Sequence, residues 1–266
     1  MAEPFKVFDR NILKLRRQRA EARLQDFAFL HDFTQREISE RLKDIKRDFQ
    51  THEELKAGVF DAPFENLSLD DQHYDLISST LNLHSVNDLP GVLTQIKKAL
   101  KLDGLFIAGM FGGETLYELR ESLTKAEMDT HGGISPRVFP FADKQQMGAL
   151  LQRAGFALPV IDSEIITVTY ENMFKLMHDL RGMGESNVIA ERSRVNPGKA
   201  FFMKAAEYYQ THFPAEDGRI QASFEIIFLL GWAPHENQQQ PLKPGSAKNR
   251  LADALKTDEI KTGEAP

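Results

Sequence analysis

The run from Tyr74 to Gly113 constrains the fold more than any other stretch of the chain. "YDLISSTLNLH", Tyr74 to His84, reads as a buried strand. Asn87 or Asp88 then stands where a helix N-cap is needed, and Leu89, Val92, Leu93, Ile96 and Leu100 fall on one face of the helix that follows. "KLDG" turns the chain into "LFIAGMFGG", a second buried strand. Strand, helix and strand in this order make a right-handed crossover between parallel neighbours, so the class is α/β around a parallel sheet.

The rest of the chain continues the alternation. Upstream, Ile38, Leu42, Ile45 and Phe49 form one apolar stripe, with Thr34 as the expected N-cap. Downstream, helices are expected over Glu114–Met128 and Asp143–Ala154, the latter closed by Gly155. A β-rich run covers Val160–Tyr170, and 171–183 reads as a helix with a Met and Phe stripe. Pro197 suits the first position of a helix ending near His212, and Phe224–Trp232 is the last strand. This divides the chain into a helical arm over 1–50, an α/β domain over 51–232 with a cap around 113–141 and 171–212, and an aperiodic tail over 233–266 expected to be mostly unfolded.

Charge and composition exclude several function classes. The formal net charge is -6, so no global cationic field draws in nucleic acid. Residues 6 to 25 carry seven Lys or Arg, read first as a solvated helix face, with a mitochondrial-type basic helix and a partner-binding arm as the alternatives. There is no cysteine, hence no disulfide and no thiolate chemistry. No window approaches 18 apolar residues and the N-terminus lacks an apolar signal core, which predicts an unprocessed cytoplasmic protein with no transmembrane segment. His84, His131, His178, His212 and His235 lack metal-ligand spacing, so no metal is expected.

The segment Phe60–Arg120, with "FDRN", "LHSVNDLPG", "GMFGGETLYELR", "GGISPRVFPF", "LLQRAGF", "RGMGESN", "GWAPHE" and "KPGSAK", resembles the class I S-adenosylmethionine (SAM)-dependent methyltransferases. The likeness is to the α-proteobacterial and mitochondrial branch, related to complex I assembly factors and to the biotin-synthesis methyltransferase. It implies a Rossmann-like sheet and SAM as cofactor. In that family the first strand ends in an acidic loop of pattern Asp/Glu-x-Gly-x-Gly-x-Gly, which lets the backbone approach the cofactor, and an acid ending the second strand holds the ribose. Here "GMFGG", "HGGIS" and "RGMGES" are the only glycine clusters, and none follows an early strand. The missing pieces need roughly 40 to 60 residues, whereas 24 residues separate Phe49 from Tyr74. The sheet is therefore expected to be truncated at strands 1 and 2. "DLISSTL" would then be an exposed edge, met either by a short substitute strand over 55–60 or by pairing of two chains around 75–81.

The resemblance also suggests site residues. Asp61 corresponds to an adenine-contacting Asp, with a plain turn aspartate as the alternative. Asn82, Leu83 and His84 lie at the carboxyl end of the strand, where cofactor is expected, and His84 with Asp88 is the candidate for general-base work, with a loop-packing histidine as the alternative. Asn87, Arg120, Arg137, Glu185 and Asn187, with Glu118, are the candidates for the acceptor side; surface ion pairing and a simple helix cap are the alternatives. Two functions fit: a methyltransferase acting on a small-molecule or protein acceptor, or a methyltransferase scaffold that has lost SAM and keeps a partner surface. Methyl transfer itself asks mainly for alignment of the acceptor. A hydroxylation has also been considered for some members of the branch, which leaves the reaction type open.

Overall fold

The computed structural model describes residues 6–61, 65–239 and 256–257. Helix α1 spans Arg10–Glu21, capped by the Asp9 side chain, and α2 spans Phe29–Lys43. Strand β1 is His52–Glu54 and β2 is Tyr74–Thr80. Helix α3, Leu89–Ala99, leads to β3, Leu100–Phe111. Helices α4, Tyr117–His131, and α5, Lys144–Ala154, precede β4, Ala157–Tyr170. Helices α6, Met173–Gly182, and α7, Gly198–His212, precede β5, Ile220–Trp232.

The five strands form one sheet in the order β1-β2-β3-β5-β4. The first three run parallel, and β5 is antiparallel to both of its neighbours. Two apolar clusters cover the faces. Leu76, Ile107, Phe224 and Phe228 pack under α2, α4, α6 and α7, while Ile77, Phe106 and Leu229 pack under α3 and α5. Alternate residues of one strand thus serve opposite cores, as the period of two requires.

The α/β class and the parallel crossover from β2 through α3 to β3 are as expected, and Asp88 rather than Asn87 caps α3, accepting from Gly91 N at 2.9 Å. Several boundaries differ. Thr34 is not a cap but lies within α2, its hydroxyl donating to Leu30 O at 2.7 Å, and α2 stops at Lys43 although Ile45 and Phe49 still pack on the core. A Cβ on Gly109 of β3 would stand 2.2 Å from the Thr34 methyl, so glycine is what lets α2 lie this close to the sheet. "KLDG" is an irregularity within β3, where the register against β2 shifts, rather than a turn before it. Pro197 precedes α7 instead of opening it. Last, a substitute strand exists, but at His52–Glu54; the residues from Ala57 to Asp61 form a 3-10 turn.

Two units separate by internal contacts, Met1–Pro234 and His235–Pro266. Within the second, His235 N donates to Gln238 Oε1 at 3.2 Å. Most of the tail expected to be unfolded lies outside the described residues.

Candidate functional site

The carboxyl ends of β1 and β2 open into a cleft of about 650 Å³. Glu54, Lys56, Gly58 and Asp61 line it from the β1 side, Thr80, Leu81 and Asn82 from the β2 side, and Lys14, Arg17 and His31 from α1 and α2. Leu81 takes a positive φ of 50°, the bend that swings Asn82 across the strand end. A second cavity of about 240 Å³ lies beyond it, walled by Phe111, Leu116, Leu119, Phe139, Phe141 and Leu180 and rimmed by Arg16, Arg137, Arg181 and Asn187. Phe111 and Glu185 line both spaces.

His84 lines neither space but packs against both of those residues. Its side chain is fully buried, with the rings of Phe111, Phe141 and Phe139 at 4.8, 5.9 and 6.2 Å. Its Nε2 meets Glu185 Oε2 at 3.0 Å. Burial pushes the Glu185 carboxyl up, but the neighbouring His84 and Arg17 outweigh burial and hold it below the ordinary carboxylate value. The pair is a hydrogen-bonded contact in an apolar shell that fixes the loop after α6.

The other sequence-derived candidates divide. Asp61 lines the cleft, but Arg10 sits against it at 3.4 Å while also donating to Ser85 O at 2.8 Å and Phe60 O at 2.5 Å. Asn82 donates to Thr80 O at 2.8 Å, and Leu83 is wholly buried. The general-base pairing of His84 with Asp88 is corrected, since the partner of His84 is Glu185 and the Asp88 carboxylate caps α3. Asn87 exchanges hydrogen bonds with the Phe8 backbone at 2.8 and 3.2 Å and lines neither cavity. Arg120 donates to Gly113 O and Thr115 O at 3.0 and 2.9 Å, and buried Glu118 accepts from the Ser223 hydroxyl at 2.6 Å; both hold the turn after β3 rather than an acceptor.

Arg137 does rim the small cavity, locked onto Glu127 at 3.0 and 2.6 Å and stacked over Phe201 at 4.4 Å. Burial opposes ionisation of Glu127, yet hydrogen bonds from Arg137 and Ser135 prevail and hold its carboxyl at about 2. Asn187 is used structurally, donating to Pro136 O at 2.8 Å and accepting from Ile189 N at 3.0 Å. Sequence reasoning missed Arg10, Arg16 and Arg17, which turn inward from α1: the run "RRQRAEAR" is only partly a solvated face. Arg10 and Arg17, seven residues or about two turns apart, share one face of the helix, but the sequence does not record that this face would be covered.

Whether the residues at β1 suit SAM can be tested directly. The chain leaving the strand reads Glu54-Leu55-Lys56-Ala57-Gly58-Val59-Phe60. Against the acidic glycine pattern, Glu54 and Gly58 match, whereas Lys56 and Phe60 occupy the other two glycine positions. Phe60 is fully buried in the core, so the third glycine position is filled by a side chain turned away from the cleft, while the space beside Gly58 is open. β1 is also the end of the sheet order, so among the described residues no further strand supplies a ribose-binding acid. The residues do not fit the cofactor's usual cradle.

Residues 16–159 match the family model described as a methyltransferase domain. The chain belongs to that family. It is 36% identical to the Mus musculus protein named arginine-hydroxylase NDUFAF5, mitochondrial, over an alignment of 298 residues covering 97% of this chain and 86% of the relative. The protein of the same name in Dictyostelium discoideum is 45% identical over 185 residues, 70% of this chain but 42% of the relative, so the match spans less than half of that protein. A SAM-dependent methyltransferase from Thermotoga maritima shares 14% identity, with 82% of this chain and 99% of that chain covered and a TM-score of 0.42. Since 97% of 266 residues is about 258, the mouse alignment holds about 40 positions to which this chain contributes no residue. The relatives are mitochondrial by name, which overturns the cytoplasmic assignment read from the N-terminus. No helix among the described residues is long and apolar enough to cross a membrane.

Proposed function

We propose that this methyltransferase-family protein works as a partner-binding factor in the assembly of a complex I-type respiratory enzyme, with its SAM site dismantled and its acceptor side retained. The observation that carries this reading is the end of β1, where Lys56 and a buried Phe60 stand in two of the three glycine positions of the cofactor loop. The roughly 40 alignment positions that the mouse relative fills and this chain does not agree in size with the lost strands. The complex I link rests on the family resemblance, and the name of the relative, an arginine hydroxylase, points to a protein acceptor in that branch.

A second reading, an active SAM-dependent enzyme, is favoured by the size of the cleft, about 650 Å³ with Glu54, Asp61 and Asn82 on its walls. That is within the range of ordinary ligand sites. Isothermal titration of the folded chain with SAM and with S-adenosylhomocysteine separates the two. Heat at micromolar ligand would overturn the scaffold reading; a flat titration of a sample that melts cooperatively supports it.

A further inference from the structure

The rim of the small cavity carries more positive charge than the fold uses. Arg16 donates to the Asn187 carbonyl and has no carboxylate in ion-pair reach among the described residues. Arg19 and Arg181, both exposed, make no ion pair among the described residues either. Arg192 is the one member of the group with a carboxylate, Asp9 at 3.6 Å. Burial first, and then the charges of Arg192, Arg19 and Arg181, pull the Arg16 guanidinium below its ordinary value, against a smaller opposing pull from Asp9.

A fold gains nothing by setting two guanidinium groups without a carboxylate partner, Arg16 and Arg181, at the mouth of an apolar hole, since such repulsion costs stability. The cluster is also local, because the chain as a whole carries a net charge of -6. Inside the mouth the walls are phenylalanine and leucine, and the lone acid, Glu185, is already held by His84 and Arg17. Arg137 is spent on Glu127. What is left for a visitor is an apolar socket of about 240 Å³, close to one large side chain in size, with fork-shaped donors around it.

We propose that this mouth docks an acidic segment of a partner protein, which lays carboxylates against Arg16 and Arg181 and inserts one aromatic or aliphatic side chain into the cavity. Arginine rims complement acidic patches and speed encounter, and a buried apolar anchor supplies the lasting affinity. The inference rests on the partner-binding reading above and names the chemistry of its acceptor side.

The test uses the full chain and a fluorescein-labelled peptide with one phenylalanine flanked on each side by two glutamates, read by anisotropy. Saturable binding is expected, weakened about tenfold by Arg16→Glu with Arg181→Glu and by raised salt, and lost when the phenylalanine is replaced by serine. A peptide with lysines for the glutamates should bind the reversed variant and not the parent, which also shows that the variant is folded. Absence of saturation, indifference to the reversal, or tighter binding of an oligonucleotide or of anionic vesicles would overturn the proposal. The SAM titration fails or succeeds independently: heat from SAM together with peptide binding removes the scaffold reading and leaves this docking surface standing.

Discussion

Removing the charge of Asp75 should loosen β1 from the sheet. The carboxylate accepts from Thr51 N at 3.0 Å, from the Thr51 hydroxyl at 2.8 Å and from Lys101 Nζ at 3.0 Å, while Asp75 N and Leu76 N donate back to Thr51 O at 2.9 and 3.1 Å. This knot fastens the residue that enters β1 to the start of β2. Burial works to raise the Asp75 carboxyl, but the bonds from Thr51 and Lys101 prevail and hold it at about 2, against an ordinary 3.8. That separation is worth about 2.4 kcal/mol, and because Lys101 is 40% exposed, solvent screening leaves about 1.5 kcal/mol. A carboxyl whose folded value is depressed stabilises fully above its unfolded value and loses that contribution as pH falls through the folded one. Urea unfolding followed by circular dichroism should therefore find Asp75→Asn less stable by about 1.5 kcal/mol at pH 7, and by roughly half as much at pH 3. Hydrogen exchange at the Leu55 amide, bonded to Ser78 O at 2.8 Å, should accelerate in the variant. Equal stability at pH 7, or a gap that widens in acid, would refute the argument.

Glu127→Gln gives up a carboxylate held at about 2 instead of 4.5; it should cost about 2 kcal/mol at neutral pH and progressively less as pH falls below about 4, measured by thermal melts. Gly182→Ala places a methyl 2.3 Å from the Phe27 ring, on the helix that carries the Glu185 loop. It should lower stability by about 1–3 kcal/mol, and a melt matching the parent would mean that Phe27 moves aside freely. Phe60→Ala empties a fully buried site under the 3-10 turn; about 3–5 kcal/mol is expected, whereas a loss below 1 would show that the joint after β1 is not packed.

What the sequence disclosed followed from periodicity. The crossover from Tyr74 to Phe111 was readable because both strands are buried on two faces and the helix between them carries a single apolar stripe. No periodicity marks β1, because "HEE" buries no stripe; its position is fixed by Thr51 and Asp75, 24 residues apart, and no local pattern records such a partnership. Threonine favours helix N-caps, yet Thr34 sits inside α2, where its hydroxyl bonds Leu30 O and its methyl packs against Gly109. At the site, the family likeness pointed to His84 and Glu185 separately, and only the fold joined them across 101 residues. The inward turn of Arg10, Arg16 and Arg17 was hidden for the same reason: a charge run reports composition, not which face is covered.

The sheet has a strong end and a weak end. β4 and β5 pair from Ala157 with Trp232 to Tyr170 with Ile220, whereas β1 and β2 share three pairs. Opening free energies follow such differences, and short peripheral elements detach while the main body stays folded. Glu54, Lys56 and Gly58 ride on or just after the weak strand. The floor of the larger cleft is thus tied to the element that leaves first, and its shape should breathe on the timescale of local unfolding while the arginine-rimmed cavity, walled by β3 and the helices packed against it, keeps its form.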